Sequence, residues 1–455
     1  MSEKHTMDLT EGPVFKKTIV FTLPILLNGV LQQLYSAADT IIIGKYGTET
    51  ALAGVGSTVS LIGLLMGLFN GLAVAVNILC ANYFGAKKQD TLRRCMHSSL
   101  VVAVFGGLGM GAAGFFSAQP LLQLMGCPDN VIGQASLYMK IYFCGVPFTV
   151  IFNFAASILR AHGDTRRPMY LLLFTGVLNV LLNLLFVIAF HMDIAGVALA
   201  TVFSQLVSAV VLIYILFRPR DAYRMEFGKL RLYGKDLWDL ITKGVPCALN
   251  GIAFSVANVF LQSTLNTFGD IAISGYAISS NLIYLIAQPS AAFYSACVSF
   301  AGQCYGAKKF RRIDKLLLSS IAGGSICIIV LCAALTSVPN FWLGLYTNNP
   351  EILETAKPYL MVVGWSYLLH IITESANGCL RGMGKSVLPT TLNLGSICLC
   401  RIVWVLWVFP LNPTLNMLFT CFPVSYLLST IAQMTYYFIS RKQLYKKAAL
   451  AGEIF

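Results

Sequence analysis

Apolar runs of about twenty residues or more recur about twelve times along the chain, and they constrain it more than any single motif. At 1.5 Å per residue such a run crosses a hydrocarbon core about 30 Å thick. In lipid each backbone N–H and C=O has to find its partner within the protein, so every run predicts a helix. The limits read 17–43, 52–82, 95–117, 133–159, 168–190, 195–217, 240–266, 271–301, 316–338, 355–380, 388–409 and 412–440. Composition agrees: 57% of residues are hydrophobic, 11% are charged and the mean hydropathy is +0.72. These values describe a polytopic membrane protein rather than a soluble one.

The net charge of +13 raises nucleic acid as a partner, and the placement of the cations answers it. Of 32 Lys and Arg, 28 fall in the two ends or in alternate connections: Lys4, Lys16 and Lys17; 87–94; 160–167; 218–243; 308–315; Arg381 and Lys385; and 441–447. That bias makes this side cytoplasmic, with both termini inside, and predicts a multi-pass protein of the plasma (bacterial inner) membrane. Basic residues so placed face anionic lipid, and a nucleic-acid partner is not expected. The first span lacks the short apolar core and small-residue cleavage site of a signal peptide, so it is read as retained. Thirteen Cys scatter singly with no CxxC pair, which points to buried filler rather than to zinc or disulfides.

Laid on itself at an offset of 221 or 222 residues, the chain falls into register. Pro24, Asn28 and Gly29 meet Pro246, Asn250 and Gly251, and Gly47 meets Gly269. FGAKKQDTLRR from Phe84 meets YGAKKFRRIDK from Tyr305, Pro128 meets Pro350, and LRAHGDTRRP from Leu159 meets LRGMGKSVLP from Leu380. Matches in turns and kinks alike mark an internal duplication. Each copy holds six helices, and an even number keeps both copies in one orientation, related by an axis along the membrane normal with a cleft between them. The expected division is an amino-terminal lobe 1–217, a basic cytoplasmic linker 218–243 and a carboxy-terminal lobe 244–455. WDLITKG at the end of the linker predicts a short amphipathic helix on the membrane surface.

Asp39 is the only acid that the first copy places inside an apolar span, among Ala37, Ala38, Ile41, Ile42 and Ile43. A carboxylate there costs several kcal/mol unless it meets water, a cation or a proton; the plain alternative is a helix-end carboxylate reaching interfacial water. Counted from the outer ends of their spans, Asp39 lies ~6 Å deep, Thr201 ~9 Å, Asn183 ~10 Å and Asn179 ~16 Å. Asn179 and Asn183 share a helix face. One carboxylate, two amide oxygens and a hydroxyl would suit a small hard cation such as sodium, the same acid would alternatively carry a proton, and the asparagines also suit ordinary interhelical bonding.

Lys140, ~10 Å deep, is level with Asp39 and either exchanges with its cation or snorkels. In the second copy Glu374 is the only acid within a span. It aligns with Asn153, has His370 one turn away as a proton-relay partner, and has Arg401 in the next span as a static one. Tyr35, Tyr138, Tyr142, Phe152, Tyr276, Tyr284, Phe293, Tyr294 and Tyr367 are aromatic candidates for the cleft, where ring faces take lipophilic cations, or else core. Pro24, Pro147, Pro246 and Pro289 interrupt spans, and Gly63, Gly67 and Gly71 predict close helix packing.

The Pro24–Gly44 span with Asp39 before IIIGKYG, the FGAKK turn, and the LRAHGDTRRP turn with its second copy together resemble the multidrug and toxin extrusion (MATE) family of the multidrug, oligosaccharidyl-lipid and polysaccharide exporter superfamily. The resemblance runs from Lys16 to Lys442. It implies two six-helix lobes, alternating access, and export of cationic or amphipathic compounds against proton or sodium entry, with Asp39, Asn179, Asn183 and Thr201 at the family's amino-lobe cation positions. Asn183 departs from members that carry a second Asp there. A flippase for lipid-linked saccharides is the alternative within the superfamily; its cleft calls for several cations, and only Lys140 and Arg401 lie within spans. No HExxH, GxSxG or close acid pair points to an enzyme. GMGKS at Gly382 lacks the first glycine of a phosphate loop, which falls at Cys379, so ATP drive is not expected. The reading is an ion-coupled antiporter without a cofactor, a monomer in the bilayer, acting on small amphipathic cations.

Overall fold

The computed structural model describes residues 6–218 and 225–450, so Lys4, Arg220 and Arg224 of the charge pattern lie outside the described residues. The described chain is built of helices: α1 (Val14–Tyr46), α2 (Glu49–Gly85), α3 (Gln89–Leu124), α4 (Asp129–Ala161), α5 (Arg166–Asn183), α6 (Asp193–Phe217), α7 (Gly234–Leu265), α8 (Asp270–Gly306), α9 (Phe310–Ser337), the short α10 (Pro339–Gly344), α11 (Pro350–Gly382), α12 (Val387–Asn393), the single turn α13 (Cys400–Val403) and α14 (Leu415–Leu450). π-Helical turns carry α5 on through Leu184–Ala189 and join α12 to α13 through Leu394–Leu399. Among the described residues eleven helices are long and apolar enough to cross a membrane, and α11 is a twelfth long helix that carries more charge. At 33 residues α4 is about 50 Å long, so its ends extend beyond a core of about 30 Å.

The duplication is written into the elements. α2 and α8, α3 and α9, α4 and α11, and α5 and α12 each begin 221 residues apart. Turn chemistry repeats with them, because Lys87 and Lys308 of the two GAKK turns both take left-handed backbone, at φ 55° and 59°. Gly163 and Gly384 take it at φ 86° and 80°, where an L side chain would be strained.

Two compact units result, the first holding the chain up to Asp8 with Leu27–Ala248, the second Leu9–Leu26 with the chain from Leu249 on. In the first, α4 is the central helix and packs against α2, α3 and α6. Close approach of α3 to α4 depends on small residues: a Cβ at Gly107 would sit 2.9 Å from Pro147, and one at Gly114 would overlap the Phe143 ring. In the second unit α11 takes the corresponding place against α8, α9 and α14. Its core includes Ile286, Ile328, Leu360 and Tyr426.

Two local expectations are corrected, on the linker helix and on the α2 glycines. Trp238–Gly244 is no separate surface helix; it forms the first turns of α7, which runs unbroken through Pro246. Asp236 anchors that end, since Arg94 donates to it from Nε at 3.0 Å and from Nη2 at 3.3 Å. Of Gly63, Gly67 and Gly71 only the last packs tightly, with its missing Cβ 2.4 Å from the Ala248 nitrogen, whereas Gly63 and Gly67 face open space. Pro24, Pro147 and Pro289 likewise sit inside continuous helices. None of the thirteen Cys is in a disulfide, and most are buried.

Candidate ion-coupling site

Four helices of the first unit converge on one polar cavity of about 350 Å³. Gln32, Tyr35, Ser36 and Asp39 recur along α1 at three- and four-residue spacing and therefore share a face. The α5 face brings Thr175, Gly176 and Asn179, α6 brings Thr201, Ser204 and Gln205, and α4 brings Tyr138, Tyr142 and Thr149. Gly176 is required by size: a Cβ there would lie 1.7 Å from Tyr35 Cζ, and without it the ring folds against α5 and its hydroxyl donates to the Leu173 carbonyl at 3.2 Å.

Asn183 Nδ2 donates to Asp39 Oδ1 and also to Asn179 Oδ1, the latter at 3.3 Å. Asn179 Nδ2 reaches Thr201 Oγ1 at 3.5 Å, and that hydroxyl donates to the Val197 carbonyl at 3.1 Å. The structure thus brings Asp39, Asn179, Asn183 and Thr201 into one chain of contacts. Asn183 is fully buried and is the last α-helical residue before the π turn, where the bonding register changes. Its own Oδ1 has no hydrogen-bond partner, and neither have Ser204 Oγ and Gln205 Oε1. Unpartnered buried acceptors cost free energy, so the site is built to hold something more than its own side chains.

In kind, the oxygens fit a small hard cation: one carboxylate, amide oxygens and hydroxyls. In orientation they fit it less well, because the Asn183 amide turns its NH₂ group to the carboxylate where a metal would need its oxygen. No cluster of three His, Cys, Asp or Glu occurs among the described residues, so a transition-metal centre has no ligand set.

Sequence reasoning missed Gln32, Ser36, Thr149, Thr175, Ser204 and Gln205 as cavity lining. The signal was available, since Thr175–Asn179–Asn183 and Thr201–Gln205 are polar steps of four within apolar helices. It also missed Asp193, whose carboxylate accepts from the Thr48 nitrogen at 3.1 Å and from Thr48 Oγ1 at 2.7 Å, fixing the outer α1–α2 turn to the start of α6.

Other sequence candidates lie elsewhere. Lys140 Nζ sits 5.9 Å from the centre of the Phe115 ring and does not line the Asp39 cavity, because its place on α4 faces α3. Asn153 donates to Asn70 Oδ1 at 3.3 Å, and Phe152 is buried core. In the second unit Arg401 is fully buried in an aromatic cage, its guanidinium 4.2 Å from the Phe422 ring centre and 5.0 Å from that of Phe254. It donates to Ser425 Oγ and Asn258 Oδ1 and pairs with no carboxylate among the described residues, so it is not the partner of Glu374. The cation that Glu374 interacts with is Arg381, two turns along its own helix. His370 is held between the rings of Tyr367 and Tyr426, at 5.1 Å and 4.6 Å, and no hydrogen bond joins it to Glu374. Tyr276 packs on Tyr359 at 4.7 Å, Phe293 is core against the α9 glycines, Tyr294 accepts from Arg381 at 2.6 Å, and Tyr284 is exposed.

A duplicated bundle of membrane-length helices, with a polar cavity around one intramembrane acid, defines a multi-pass membrane transporter rather than an enzyme. The chain belongs to the MatE family, whose profile matches residues 24–185 and again 246–407. It is 28% identical over 397 residues to the probable multidrug resistance protein YpnP of Bacillus subtilis, covering 87% of this chain and 88% of that one. It is 25% identical over 390 residues to the multidrug export protein MepA of Staphylococcus aureus, covering 85% of each. Among solved structures it superposes with a TM-score of 0.91 on a MOP-superfamily transporter from Pyrococcus furiosus, described as having a binding pocket of reversed polarity, at 21% identity and 97% and 99% coverage. An outward-facing MATE transporter superposes at 0.89, with 20% identity and 98% and 100% coverage.

Proposed function

We propose that the protein is a multidrug efflux antiporter that exports amphipathic or cationic compounds in exchange for protons, with Asp39 as the group that loads and releases the coupling ion. The observation that carries this reading is the contact of the Asn183 amide with the Asp39 carboxylate inside a cavity lined by Tyr35, Tyr138 and Tyr142. A carboxylate so enclosed is stable as the neutral acid or beside a cation, and a substrate cation and a proton then compete for one negative charge. Tyrosine faces next to it suit flat lipophilic cations without demanding one shape. Relatives named as multidrug resistance and export proteins support the substrate class.

Sodium is the second reading, favoured by the unpartnered Asn183 Oδ1. A rotated Asn183 amide would present that oxygen alongside Asp39, Asn179 and Thr201 as donors. Export of a lipid-linked saccharide has less support, since Lys140 and Arg401 both lie against aromatic rings instead of lining the Asp39 cavity.

The test imposes a proton gradient and a sodium gradient separately on proteoliposomes loaded with ethidium. Proton-driven movement that disappears in Asp39→Asn is expected; movement driven by sodium alone assigns the second reading, and full movement in Asp39→Asn overturns both.

A further inference from the structure

A second cavity, of about 310 Å³, opens in the first unit at the end of the bundle that carries the basic turns. Its walls are apolar side chains of α3 and α6, among them Val104, Phe105 and Phe217, and its rim is the Leu230–Arg231–Leu232 segment before α7. Phe105 is 70% exposed and Leu232 46%, so the groove opens sideways. In a membrane that direction is lipid.

The rim is held in place. Ser98 Oγ donates to the Arg231 carbonyl and accepts from the Tyr233 nitrogen, each at 3.3 Å, and His97 Nε2 lies 3.1 Å from the Glu226 backbone nitrogen. Arg231 is thereby fixed at the mouth of an apolar groove, and Arg218, one residue beyond Phe217, is exposed beside it. Among the described residues of this segment, Asp236 pairs with Arg94, and Glu226 with Lys229 at 3.0 Å.

We propose that this groove binds one anionic glycerophospholipid, an acyl chain lying along the α3 and α6 side chains and the phosphate meeting Arg231. The chemistry matches at both ends: methylenes gain from burial against Val104 and Phe105, and a guanidinium is the preferred planar donor to phosphate oxygens. A single interfacial cation contributes to anionic-lipid binding by a factor of about five.

Native mass spectrometry of the full chain released from detergent micelles tests it, with palmitoyl-oleoyl phosphatidylglycerol and the matching phosphatidylcholine as probes. The wild-type chain is expected to retain the anionic lipid preferentially, and Arg231→Gln to lower that retention about fivefold and to lower that of the zwitterionic lipid, whose choline offsets the phosphate charge, by less. Val104→Trp, which fills the groove without touching the charge, should remove the tightest adduct of either lipid. Photo-crosslinking from a benzophenone placed at Leu232 should yield a lipid adduct. Equal retention in wild type and both variants, or a crosslink from Leu232 to this chain's own peptides instead of to lipid, overturns the proposal.

Discussion

At the residue scale, Asn183 is the side chain that holds Asp39. The amide donates to the carboxylate and, through its second hydrogen, to Asn179, so it both steadies the acid and couples α1 to α5. Removing a donor to a charged or readily charged group costs about 1.5–3 kcal/mol, or roughly 10- to 100-fold in an equilibrium. Asn183→Leu should therefore lower proton-driven ethidium efflux at least tenfold at wild-type protein level, read in everted vesicles against Asp39→Asn; undiminished efflux would remove Asn183 from the coupling. Asp39 and its three partners were legible because a polar side chain in an apolar span demands an explanation. The lining hydroxyls at Ser36 and Thr149 were not, since Ser and Thr also bond back to their own helix and give no such demand, and Thr175 and Gln205 were signalled only by their four-residue steps from Asn179 and Thr201. Lys140 and Arg401 were misplaced for a further reason. Depth along a span is readable from sequence, but the direction a side chain takes around the helix depends on neighbours that sequence does not specify; aromatic rings received both cations.

At the element scale, the turns between helices carry more of the architecture than their length implies. The LRAHGDT turn after α4 is packed tightly: Asp164 is fully buried and pairs with Arg167 at 3.3 Å, and a Cβ at Gly163 would sit 2.1 Å from the Met7 carbonyl oxygen. His162, between them and α4, is buried with Nδ1 2.7 Å from the Ile158 carbonyl and its ring 4.9 Å from that of Phe84. Burial holds the imidazole neutral and pushes its pKa down to about 4, against an ordinary 6.5. The folded state thus resists a proton that the unfolded chain accepts. Stability from this group is present above pH 6.5 and is lost as pH falls from there through about 4, because the unfolded state binds more protons across that window. Thermal unfolding in detergent should show the melting temperature dropping over that range, and His162→Gln, which cannot titrate, should flatten the slope. An equal slope in both proteins would mean that His162 does not drive the loss. The repeat of this turn was visible in sequence as LRGMGKS, yet its tight burial was not, since Gly and polar residues ordinarily mark solvated loops.

At the scale of the whole molecule, one duplication accounts for the helix count, the central place of α4 and α11, and the twin left-handed lysines. The helix count and the matching of turns were legible, because repetition preserves spacing and turn residues even where apolar positions drift, whereas the central helices and the left-handed lysines were seen only in the structure. What periodicity could not supply was where α7 begins: Trp238–Gly244 reads as a separate amphipathic helix in sequence, whereas it forms the first turns of α7. Twelve long helices also fix a relation between ends and turns. Twelve crossings would put both termini on one side, with the connections holding 28 of the 32 Lys and Arg, and the positive-inside rule predicts that this side is cytoplasmic. A green fluorescent protein fused after Phe455 should then fluoresce in cells, and alkaline phosphatase at the same point should be inactive. The same pair of reporters after Leu124, beyond α3 at the opposite end of the bundle, should give the reverse pattern. Were both fusion points to report the same side, the twelve-span count would fail; were both inverted, the charge rule would fail and the count would stand.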